Sequence, residues 1–583
     1  MKLESTFEVV TSYFQLLKHL ENLRISKVLG IDIETTGLDP LQDSIRLIQI
    51  ATTGCPVIVF DMRGIDQQTR AIISKLLSSK AIKVFHNAKF DMEFLEQSRL
   101  SVSGRVFDTL IAGYLLQQKT ELPRFGLNSL TQYYLSVDLS KGLQTSNWSD
   151  DLSRKQYEYA ARDAAVLIPL REAMIRDLQS EDLTNIAKLE FGCLYAVAEM
   201  ELTGIELNLE RWDELRKQLE HQKKSASIEL KKYFHRPFVQ LNLFGEDTDS
   251  FNLDSQQQVL KALNEQGIPI KSTSRSQLIP LASKYPVVRQ LLEYRRATKA
   301  LQAFIYSIPE TIHPRTGRLH PRYHQMGTFT GRFSCSHPNL QQIPRSKEFR
   351  HCFVAKAGHK LIIADYSQIE LRVVAEISKD ETMIQAYTRG QDLHRLTASL
   401  IANKRLSDVS KQERQAAKAV NFGLVYAMGA RGLQAYARST YGVTMTLDEA
   451  EMFRKRFFKA YSGVANWHKS VKISKERISR TLGGRKHQWM EAISVAGLYN
   501  WPVQGTAADI VKQAMADLVY NLKGTSAKIV GMVHDEIIIE APEKGAAVTA
   551  EILKETMEHA GSKYLHLVPV VAETSIVENW AQK

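Results

Sequence analysis

The 583-residue sequence contains few cysteines. The four that are present, Cys55, Cys193, Cys335 and Cys352, form no C-x-x-C pair and no tight cluster with histidine. A structural zinc site or a disulfide framework is therefore not expected, and a reducing compartment fits this usage. No apolar stretch approaches the roughly 20 residues that a membrane helix needs, and the N-terminal MKLESTFEVV does not have the form of a signal peptide. We expect a cytoplasmic protein without a membrane partner.

The sequence also lacks an excess of acidic residues. Lysine and arginine together number 76 and aspartate and glutamate 64, which gives a formal net charge of +12 and a pI of about 9.2. Cationic side chains neutralise phosphates and release counterions, so this balance favours a nucleic-acid partner. A solvated basic surface explains the same charge equally well. The chain is too long for one hydrophobic core, and we expect about two to four domains.

Repeats and low-complexity linkers are absent as well, so the organisation is predicted from periodicity. Residues 27–60 contain three short β-branched segments, KVLGIDIETTG, IRLIQIATTG and CPVIVF, each bounded by Gly, Thr or Pro. Helical patterns follow around residues 69–80 and 155–170. Strands followed by helices indicate an α/β domain that ends near residue 185.

The rest of the chain is organised differently. Residues 209–234 are charged and have a helical period, which predicts a long amphipathic helix in a separate helical domain. Strand patterns return at 361–365 and at 528–540, while residues 379–490 between them are mostly helical and rich in Arg and Lys. These patterns predict a second α/β region that a helical segment interrupts.

Acidic residues at three places in the N-terminal region are spaced for a metal site. Asp32 and Glu34 end a predicted strand, where alternation directs both carboxylates to one face. Asp91 closes the segment HNAKFD, and Tyr159 and Asp163 are four residues apart, so a helix presents them together. A lone D-x-E pair is usually surface decoration. Four carboxylates and a tyrosine are what two-metal phosphodiester hydrolysis needs, with metals roughly 3.5–4 Å apart and the hydroxyl orienting a water.

Two aspartates in the C-terminal region stand beside apolar strands. Asp365 follows the apolar LIIA, and Asp535 lies in the triplet His534-Asp535-Glu536 with apolar residues on both sides. Such a charged triplet is costly in apolar surroundings unless it is paired or binds metal. An acidic hairpin tip is the alternative interpretation. On neighbouring strands the two aspartates would form a two-metal centre, in which one metal lowers the pKa of an attacking hydroxyl and the other holds a triphosphate.

A stripe of cations and aromatics is the third chemical feature. Arg414, Lys418, Phe422 and Tyr426 recur every four residues, which places them along one side of a helix. Two cations suit phosphate oxygens, and two aromatics suit a base and a sugar. Taken separately, an aromatic stripe is usually core and a cationic one is usually solvated. His394, a short distance upstream, could also reach phosphate.

These motifs occur in an order that resembles a known family. DYSQIELR, DLHRLTA, the R-x-x-x-K-x-x-x-F-G-x-x-Y pattern and VHDE are accompanied by Thr330-Gly331-Arg332, by PNLQ and by PVQGTAAD. Together they resemble the family A DNA polymerases, the class of the large fragment of bacterial DNA polymerase I. The N-terminal motifs resemble the tyrosine subclass of DEDD-type 3′–5′ exonucleases. The resemblance covers nearly the whole chain, down to Glu578-Asn579-Trp580.

The resemblance implies a multidomain protein of α/β and α+β class, in which a ribonuclease H-like exonuclease domain precedes a right-hand polymerase. The implied domains are the exonuclease at 1–185, the thumb at 186–305, the palm at 306–378 and 491–583, and the fingers at 379–490. It also implies that a 5′-nuclease domain and a thioredoxin-binding insertion in the thumb are absent. The implied partners are primer-template DNA and dNTPs, and the protein is expected to be monomeric.

The resemblance also assigns metal ligands and catalytic residues. Each active site would bind two Mg²⁺ ions, with Mn²⁺ able to substitute. In the exonuclease, Tyr159 would position the water and the metal ligands would be Asp32, Glu34, Asp91 and Asp163. In the polymerase the ligands would be Asp365, Asp535 and the carbonyl of Tyr366, with Glu536 and Lys418 as further catalytic residues.

Nucleotide and DNA contacts follow from the same resemblance. Arg414, Lys418 and His394 would hold the triphosphate, and Phe422 would lie beside the incoming sugar and base. Glu370, packed near Tyr426, would block a 2′-hydroxyl, and Gln368 would also contact the nucleotide. Arg332 and Gln504 would contact the minor groove at the primer terminus, where the acceptors are nearly the same for every correct pair. The other implied duplex contacts are Asn339, Gln341 and His534.

Some positions depart from the family's usual residues, and two other functions stay open. Ala427 stands where Gly is usual, Gln342 where Asn is usual, Ala496 where an Arg near the template is frequent, and Trp489 where Pro is common. These four departures bear on the fidelity of copying and on the contacts with the template strand, and none of them replaces a metal ligand. The alternatives are a ribonuclease-D-like exonuclease with a decayed polymerase module and a non-catalytic nucleic-acid-binding scaffold.

Overall fold

A computed structural model of the chain describes residues 6–120, 122, 124–139, 142–143, 146–234, 251–473, 477–489 and 495–583. Within these residues no helix combines the length and the apolar character needed to cross a membrane.

The N-terminal region contains a mixed six-stranded sheet. Its strands are β1 (Phe7–Val10), β2 (Val28–Thr35), β3 (Ile45–Ala51), β4 (Val57–Asp61), β5 (Ile82–Phe85) and β6 (Val106–Asp108). They are arranged in the order β1-β4-β3-β2-β5-β6, with β2-β3 and β3-β4 antiparallel and the other pairs parallel. The three predicted strands in residues 27–60 are therefore confirmed.

Helices cover this sheet on both faces. They are α1 (Tyr13–Ile25), α2 (Gln67–Leu77), α3 (Ala88–Gln97), α4 (Thr109–Leu115), α5 (Gln117–Thr120), α6 (Leu127–Leu135), α7 (Arg154–Ala165) and α8 (Leu167–Ser180). The helix predicted around 155–170 is divided at Val166. Pro169 explains the break, because it has no N–H to donate to the carbonyl of Ala165. One face of β2 contributes Ile31 and Ile33 to the main core, and α7 packs on the other face.

A helical region links the two sheets. It contains α9 (Thr184–Thr203), β7 (Glu206–Leu207), α10 (Leu209–Phe234), α11 (Gln256–Glu265), α12 (Arg275–Leu278) and α13 (Pro286–Ala300). The predicted amphipathic helix over 209–234 is confirmed as α10. Its distal half packs through Leu230 on Val259 and Leu291, which gives this part a small core of its own.

The C-terminal region is built on a four-stranded antiparallel sheet. The strands of the region are β8 (Arg322–His324), β9 (Ser334–Ser336), β10 (Phe353–Val354), β11 (His359–Tyr366), β12 (Ile478–Arg480), β13 (Lys486–Gln488), β14 (Lys528–Val533), β15 (Glu536–Pro542) and β16 (Ala572–Val577). The main sheet has the order β14-β15-β11-β16, and the segment predicted as one strand over 528–540 is a hairpin of β14 and β15. Ile362 and Ile363 of β11 are fully buried at its centre.

The helices of this region pack on the sheet and extend from it. They are α14 (Lys347–Arg350), α15 (Ile369–Ser378), α16 (Glu381–Thr388), α17 (Leu393–Ala402), α18 (Lys411–Leu424), α19 (Ala430–Tyr441), α20 (Leu447–Ala460), α21 (Ser462–Ile473), α22 (Val495–Asn521) and α23 (Ala546–Ser562). Helix α22 also packs on α9, which in turn packs on α3, and these contacts join the C-terminal region to the N-terminal one. The predicted domain boundaries are not tested by these cores and stay predictions.

Candidate active sites

Strand β2 positions the first pair of carboxylates. Asp32 and Glu34 lie opposite Gln49 and Leu47 of β3, on the face of the sheet that α7 covers. Gly30, two residues earlier on the same face, allows this close approach, because a Cβ there would lie 2.8 Å from the carbonyl oxygen of Ala164. Alternation along β2 thus directs both acids towards α7, as the sequence predicts.

Helix α7 brings Tyr159 and Asp163 to these acids. The helix begins with a capping box, in which Ser153 N donates to Gln156 Oε1 at 2.9 Å and Gln156 N donates to Ser153 Oγ. One turn separates Tyr159 from Asp163, and the phenol is hydrogen-bonded to the carboxylate. The four-residue spacing therefore places these two side chains together on one side of the helix, as the sequence predicts.

Asp91 completes the N-terminal group from α3. This helix starts after Asn87, whose φ of 67° is left-handed, and its first amides are held by Asp108, which accepts from Ala88 N at 2.8 Å. Asp108 was not identified from the sequence. It is the last residue of β6 and the N-cap of α4, and an Asp between a strand and a helix is the signal that indicates a capping residue. It orients α3 so that Asp91 faces Asp32.

The four carboxylates repel one another. Burial and then the nearby Asp163 raise the pKa of Asp32 well above its usual value, and burial and then Asp32 do the same for the pKa of Asp91. Burial followed by the three other acids raises the pKa of Glu34 to about 10, and burial raises the pKa of Asp163 to about 6. Within the described residues Asp163 Oδ1 is buried without a hydrogen-bond partner. This site needs positive charge to hold four anions together.

Backbone pairing brings the two C-terminal aspartates together. Asp365, near the end of β11, lies opposite Glu536 of β15, and Tyr366 N donates to the carbonyl of Asp535 at 3.4 Å. Asp535 itself lies in the two-residue turn between β14 and β15, where His534 has a left-handed φ of 62°. The interpretation as a hairpin tip is thus correct for the backbone, and the tip lies against the end of β11.

The surroundings of these aspartates are acidic. Burial and then the proximity of Asp365 raise the pKa of Asp535 to about 7. Oδ1 of Asp365 is buried and has no hydrogen-bond partner in the described part of the chain. No group of three or more His, Cys, Asp or Glu side chains among the described residues is already gathered as a metal site. A bound divalent cation would nevertheless coordinate the unpaired Oδ1 of Asp365 and offset the repulsion between the carboxylates of Asp365 and Asp535.

A lysine that the sequence did not indicate lies between these acids. Lys583 Nζ is 2.7 Å from Asp365 Oδ2, and it also contacts the carboxylate of Glu536. The fully buried Trp580 anchors this segment and donates its indole N–H to Glu536. Lys583 is 218 residues from Asp365 in the chain, so no local pattern could have predicted the contact.

Helix α18 carries the cations that the sequence predicts for phosphate binding. Arg414 Nε donates to Asp392 Oδ2 at 2.6 Å, and Lys418 and Phe422 follow on the same side of the helix. Tyr426 was predicted on this helix, but α18 ends at Leu424 and Tyr426 lies in the following turn. Ala427, in that turn, has a left-handed φ of 60°, which suits the Gly that is usual there.

A hydrogen-bond network determines the state of His394. Asn421 Nδ2 donates to His394 Nδ1 at 2.8 Å, while Asn421 Oδ1 accepts from Thr397 at 2.9 Å. The imidazole therefore carries its proton on Nε2. Burial, assisted by the charges of Lys418 and Arg414, lowers the pKa of His394 to about 4. His394 is a neutral donor at neutral pH.

Glu370 connects two other predicted contacts. Tyr426 Oη donates to Glu370 Oε2 at 2.5 Å, and Arg332 forms an ion pair with the same carboxylate. Asn339 accepts from Gln341 N at 3.1 Å and so caps a short 3₁₀ helix.

The predicted polymerase residues mostly share one cavity of about 730 Å³. Those that line it are Arg332, Gln341, Asp365, Tyr366, Gln368, Glu370, His394, Arg414, Lys418, Phe422, His534, Asp535 and Glu536. Tyr426, Asn339 and Gln504 do not belong to its lining. The lining of this cavity combines the acids Asp365, Asp535 and Glu536 with the cations of α18, and such a combination can bind metal ions and a polyphosphate together.

Comparisons with known proteins match the N-terminal and C-terminal regions of the chain to two different families. Residues 213–582 match the family described as DNA polymerase family A, and residues 7–179 match the family described as 3′-5′ exonuclease. DNA polymerase I of Aquifex aeolicus (strain VF5) is 35% identical over 99% of this chain and 100% of its own length. DNA polymerase I of Chloroflexus aurantiacus is 31% identical over 96% of this chain, which spans 62% of that relative.

A solved structure shows the same fold. The POL domain of Pol1 from M. smegmatis, in complex with DNA primer-template and dNTP, matches with a TM-score of 0.84 and 24% identity, over 99% of each chain. Members of the polymerase and exonuclease families generally use divalent metals. Because the polymerase family matches most of the chain and the exonuclease family matches its N-terminal region, the chain belongs to DNA polymerase family A and carries a 3′–5′ exonuclease domain ahead of its polymerase region.

Proposed function

We propose that this polymerase adds dNTPs to the 3′-hydroxyl of a primer in the cavity between Asp365 and α18, and that its N-terminal site removes mispaired 3′ nucleotides. The observation that carries the proposal is that Asp365, Asp535 and the cations of α18 line one cavity, while a second group of acids lies outside that lining on β2, α3 and α7. Primer-template DNA and dNTPs are the partners that this chemistry requires.

Asp365, Asp535 and the carbonyl of Tyr366 would hold two Mg²⁺ ions, for which Mn²⁺ could substitute. When bound, the metals activate the attacking hydroxyl and neutralise charge on the triphosphate. The orphaned Oδ1 of Asp365 and the raised pKa of Asp535 fit this ligand role. The ammonium of Lys583 and a metal would compete for Asp365, because the two cations need the same carboxylate.

Lys418 and Arg414 would bind the triphosphate from the opposite wall. Arg414 must then exchange its pairing with Asp392 for phosphate oxygens. His394 would donate from Nε2 as a neutral group, which adds a hydrogen bond without changing the charge of the site. Phe422, whose ring centre is 5.9 Å from that of His394, would lie beside the sugar and base.

Glu370 would select deoxynucleotides. Its carboxylate is held from two sides by Tyr426 and Arg332, so it cannot turn aside easily when a 2′-hydroxyl approaches. Release of Arg332 from Glu370 would allow that guanidinium to contact the primer terminus. The contacts proposed for Gln341, Gln504, Asn339, Gln368 and His534 rest on the family resemblance.

In the exonuclease site, Asp32, Glu34, Asp91 and Asp163 would hold the metals. Burial and then Asp163 raise the pKa of Tyr159, so the phenol stays neutral and donates to that carboxylate. Its oxygen can then accept a hydrogen bond from the attacking water and orient it. Four carboxylates that hold two metal ions would support hydrolysis of a phosphodiester at the 3′ end of a strand.

The test uses matched and mismatched primers with and without dNTPs. Asp535→Asn should abolish extension and retain removal of a mismatched 3′ nucleotide, whereas Asp163→Asn should do the reverse. Retained extension by Asp535→Asn would refute the polymerase assignment. A preference for trimming structured RNA over mismatched DNA ends would favour a ribonuclease-D-like activity. The monomeric state and the lack of a thumb insertion stay predictions, and residues 235–250 of that range lie outside the described residues.

A further inference from the structure

A second large cleft lies between the exonuclease and polymerase regions. Its volume is about 620 Å³, and none of the exonuclease carboxylates or polymerase aspartates lines it. One wall comes from α4 and the residues after it, including Tyr114. The facing wall comes from the loop at 326–331, from the β12–β13 hairpin and from Trp501 of α22.

Aromatic rings dominate the polymerase wall. The Phe329 side chain is 65% exposed, and its ring centre is 5.9 Å from that of His487. His487 is stacked on Trp501 at 5.4 Å and contacts Trp489 edge-on at 4.5 Å. On the opposite wall Tyr114 is 40% exposed. Phe329 and Tyr114 therefore leave ring surface open to the cleft, which a flat apolar ligand could cover.

Polar groups of this wall are already engaged. The indole N–H of Trp489 donates to Ser479 Oγ at 2.9 Å, and that of Trp501 donates to the carbonyl of Phe329 at 2.9 Å. Lys486 is paired with Glu181, and Arg485 is paired with Asp509 and Glu190. The wall therefore offers rigid ring faces, with its two cations occupied, and it suits a flat unpaired base better than duplex phosphates.

The loop that carries Phe329 also reaches the polymerase cavity. Gly331 has a φ of +83° and packs directly on Arg485, since a Cβ there would lie 2.6 Å from Arg485 Nε. The next residue, Arg332, lines the polymerase cavity. A strand in the cleft would thus continue towards the polymerase centre, and the absence of exonuclease carboxylates from the described lining argues against a primer end on its way to hydrolysis.

We propose that this cleft binds an unpaired base of the uncopied template strand, stacked on Phe329 beside Trp489. The inference rests on the proposed function, because only a polymerase that copies a template has such a strand ahead of its active site. Trp489 would then be a DNA contact. Stacking on aromatic side chains tolerates any base, as a template reader requires.

The test measures binding, without turnover. Primer-template with a long 5′ overhang carries 2-aminopurine at successive overhang positions, and a blunt duplex serves as reference. Phe329→Ala should relieve the quenching of one or two of these bases and weaken binding of the overhang DNA about tenfold, with the blunt duplex unaffected. Phe14→Ala is the matched control, since Phe14 is 85% exposed on α1, far from the cleft lining.

Further arms separate the possible failures. Phe329→Ala should fold, because the side chain is exposed and the hydrogen bond to Trp501 comes from the backbone carbonyl, which the substitution keeps. Tyr114→Ala on the facing wall is the second variant. Equal binding of overhang DNA by both variants and by wild type would overturn the inference. In a separate arm 2-aminopurine is placed at a frayed primer 3′ end, and a response to Phe329→Ala seen there but at no overhang position would also overturn the inference. If wild type extends primers while either of these results holds, the proposed function stands and the cleft assignment alone fails.

Discussion

Replacement of Lys583 by alanine should strengthen metal binding at the polymerase site. The ammonium of Lys583 lies 2.7 Å from Asp365 Oδ2 and also contacts Glu536. A divalent cation must displace this ammonium or share Asp365 with it. Removal of the competing charge therefore leaves the carboxylate free for the metal, and the sign of the effect follows from Coulomb's law.

The magnitude depends on solvent. At 2.7 Å two unit charges interact by about 6 kcal/mol at an effective dielectric constant near 20. The side chains of Lys583 and Asp365 are 24% and 36% exposed, so screening and side-chain entropy reduce the net value to about 1 kcal/mol. The dissociation constant for Mg²⁺ or Mn²⁺ should then fall about fivefold.

Calorimetric titration of the DNA-free protein with Mn²⁺ would measure this change directly. An exonuclease-inactive background with Asp163→Asn simplifies the titration by weakening the other site. Lys360→Ala is the matched control, because Lys360 lies on the same strand but pairs with Glu543 and Glu578 at its far end. Unchanged or weaker metal binding in Lys583→Ala, with Lys360→Ala equal to wild type, would refute the reasoning.

Three other outcomes are expected. The pKa of His394 in the folded protein, about 4, is below the unfolded value of 6.5, so the stability that the neutral imidazole contributes is present above pH 6.5 and is lost as pH falls to 4. Over this range the free energy of unfolding of wild type, measured in urea, should fall by up to about 3 kcal/mol more than that of His394→Gln. Parallel pH curves for the two proteins would contradict this. Glu370→Ala should raise ribonucleotide incorporation relative to deoxynucleotides in single-nucleotide extension, and unchanged selectivity would remove Glu370 from the sugar site. Ala427→Gly should stabilise the protein by roughly 1 kcal/mol, because it relieves a left-handed alanine, whereas Ala419→Gly inside α18 should destabilise it by about as much; a loss of stability in Ala427→Gly would show that the turn is not strained.

Local patterns were sufficient to predict which side chains of one strand or one helix lie on the same side. Strand alternation places Asp32 and Glu34 on one face, and the four-residue spacing places Tyr159 and Asp163 on one side of α7. The same reasoning failed at Tyr426, because periodicity continues through the sequence while the helix ends at Leu424. It also joined β14 and β15 into one strand, since apolar residues flank both sides of the turn at Asp535.

Local periodicity was enough to predict which residues could do the chemistry, because side-chain direction within a strand or helix depends on that period. The meeting of Asp365 with Asp535 was decided by the tertiary structure, through the pairing of β11 with β15 around a buried apolar sheet. The contact of Lys583 with Asp365 and the cleft between Tyr114 and Phe329 have the same origin. Contacts between distant segments depend on how apolar faces are buried together, and no local spacing encodes that.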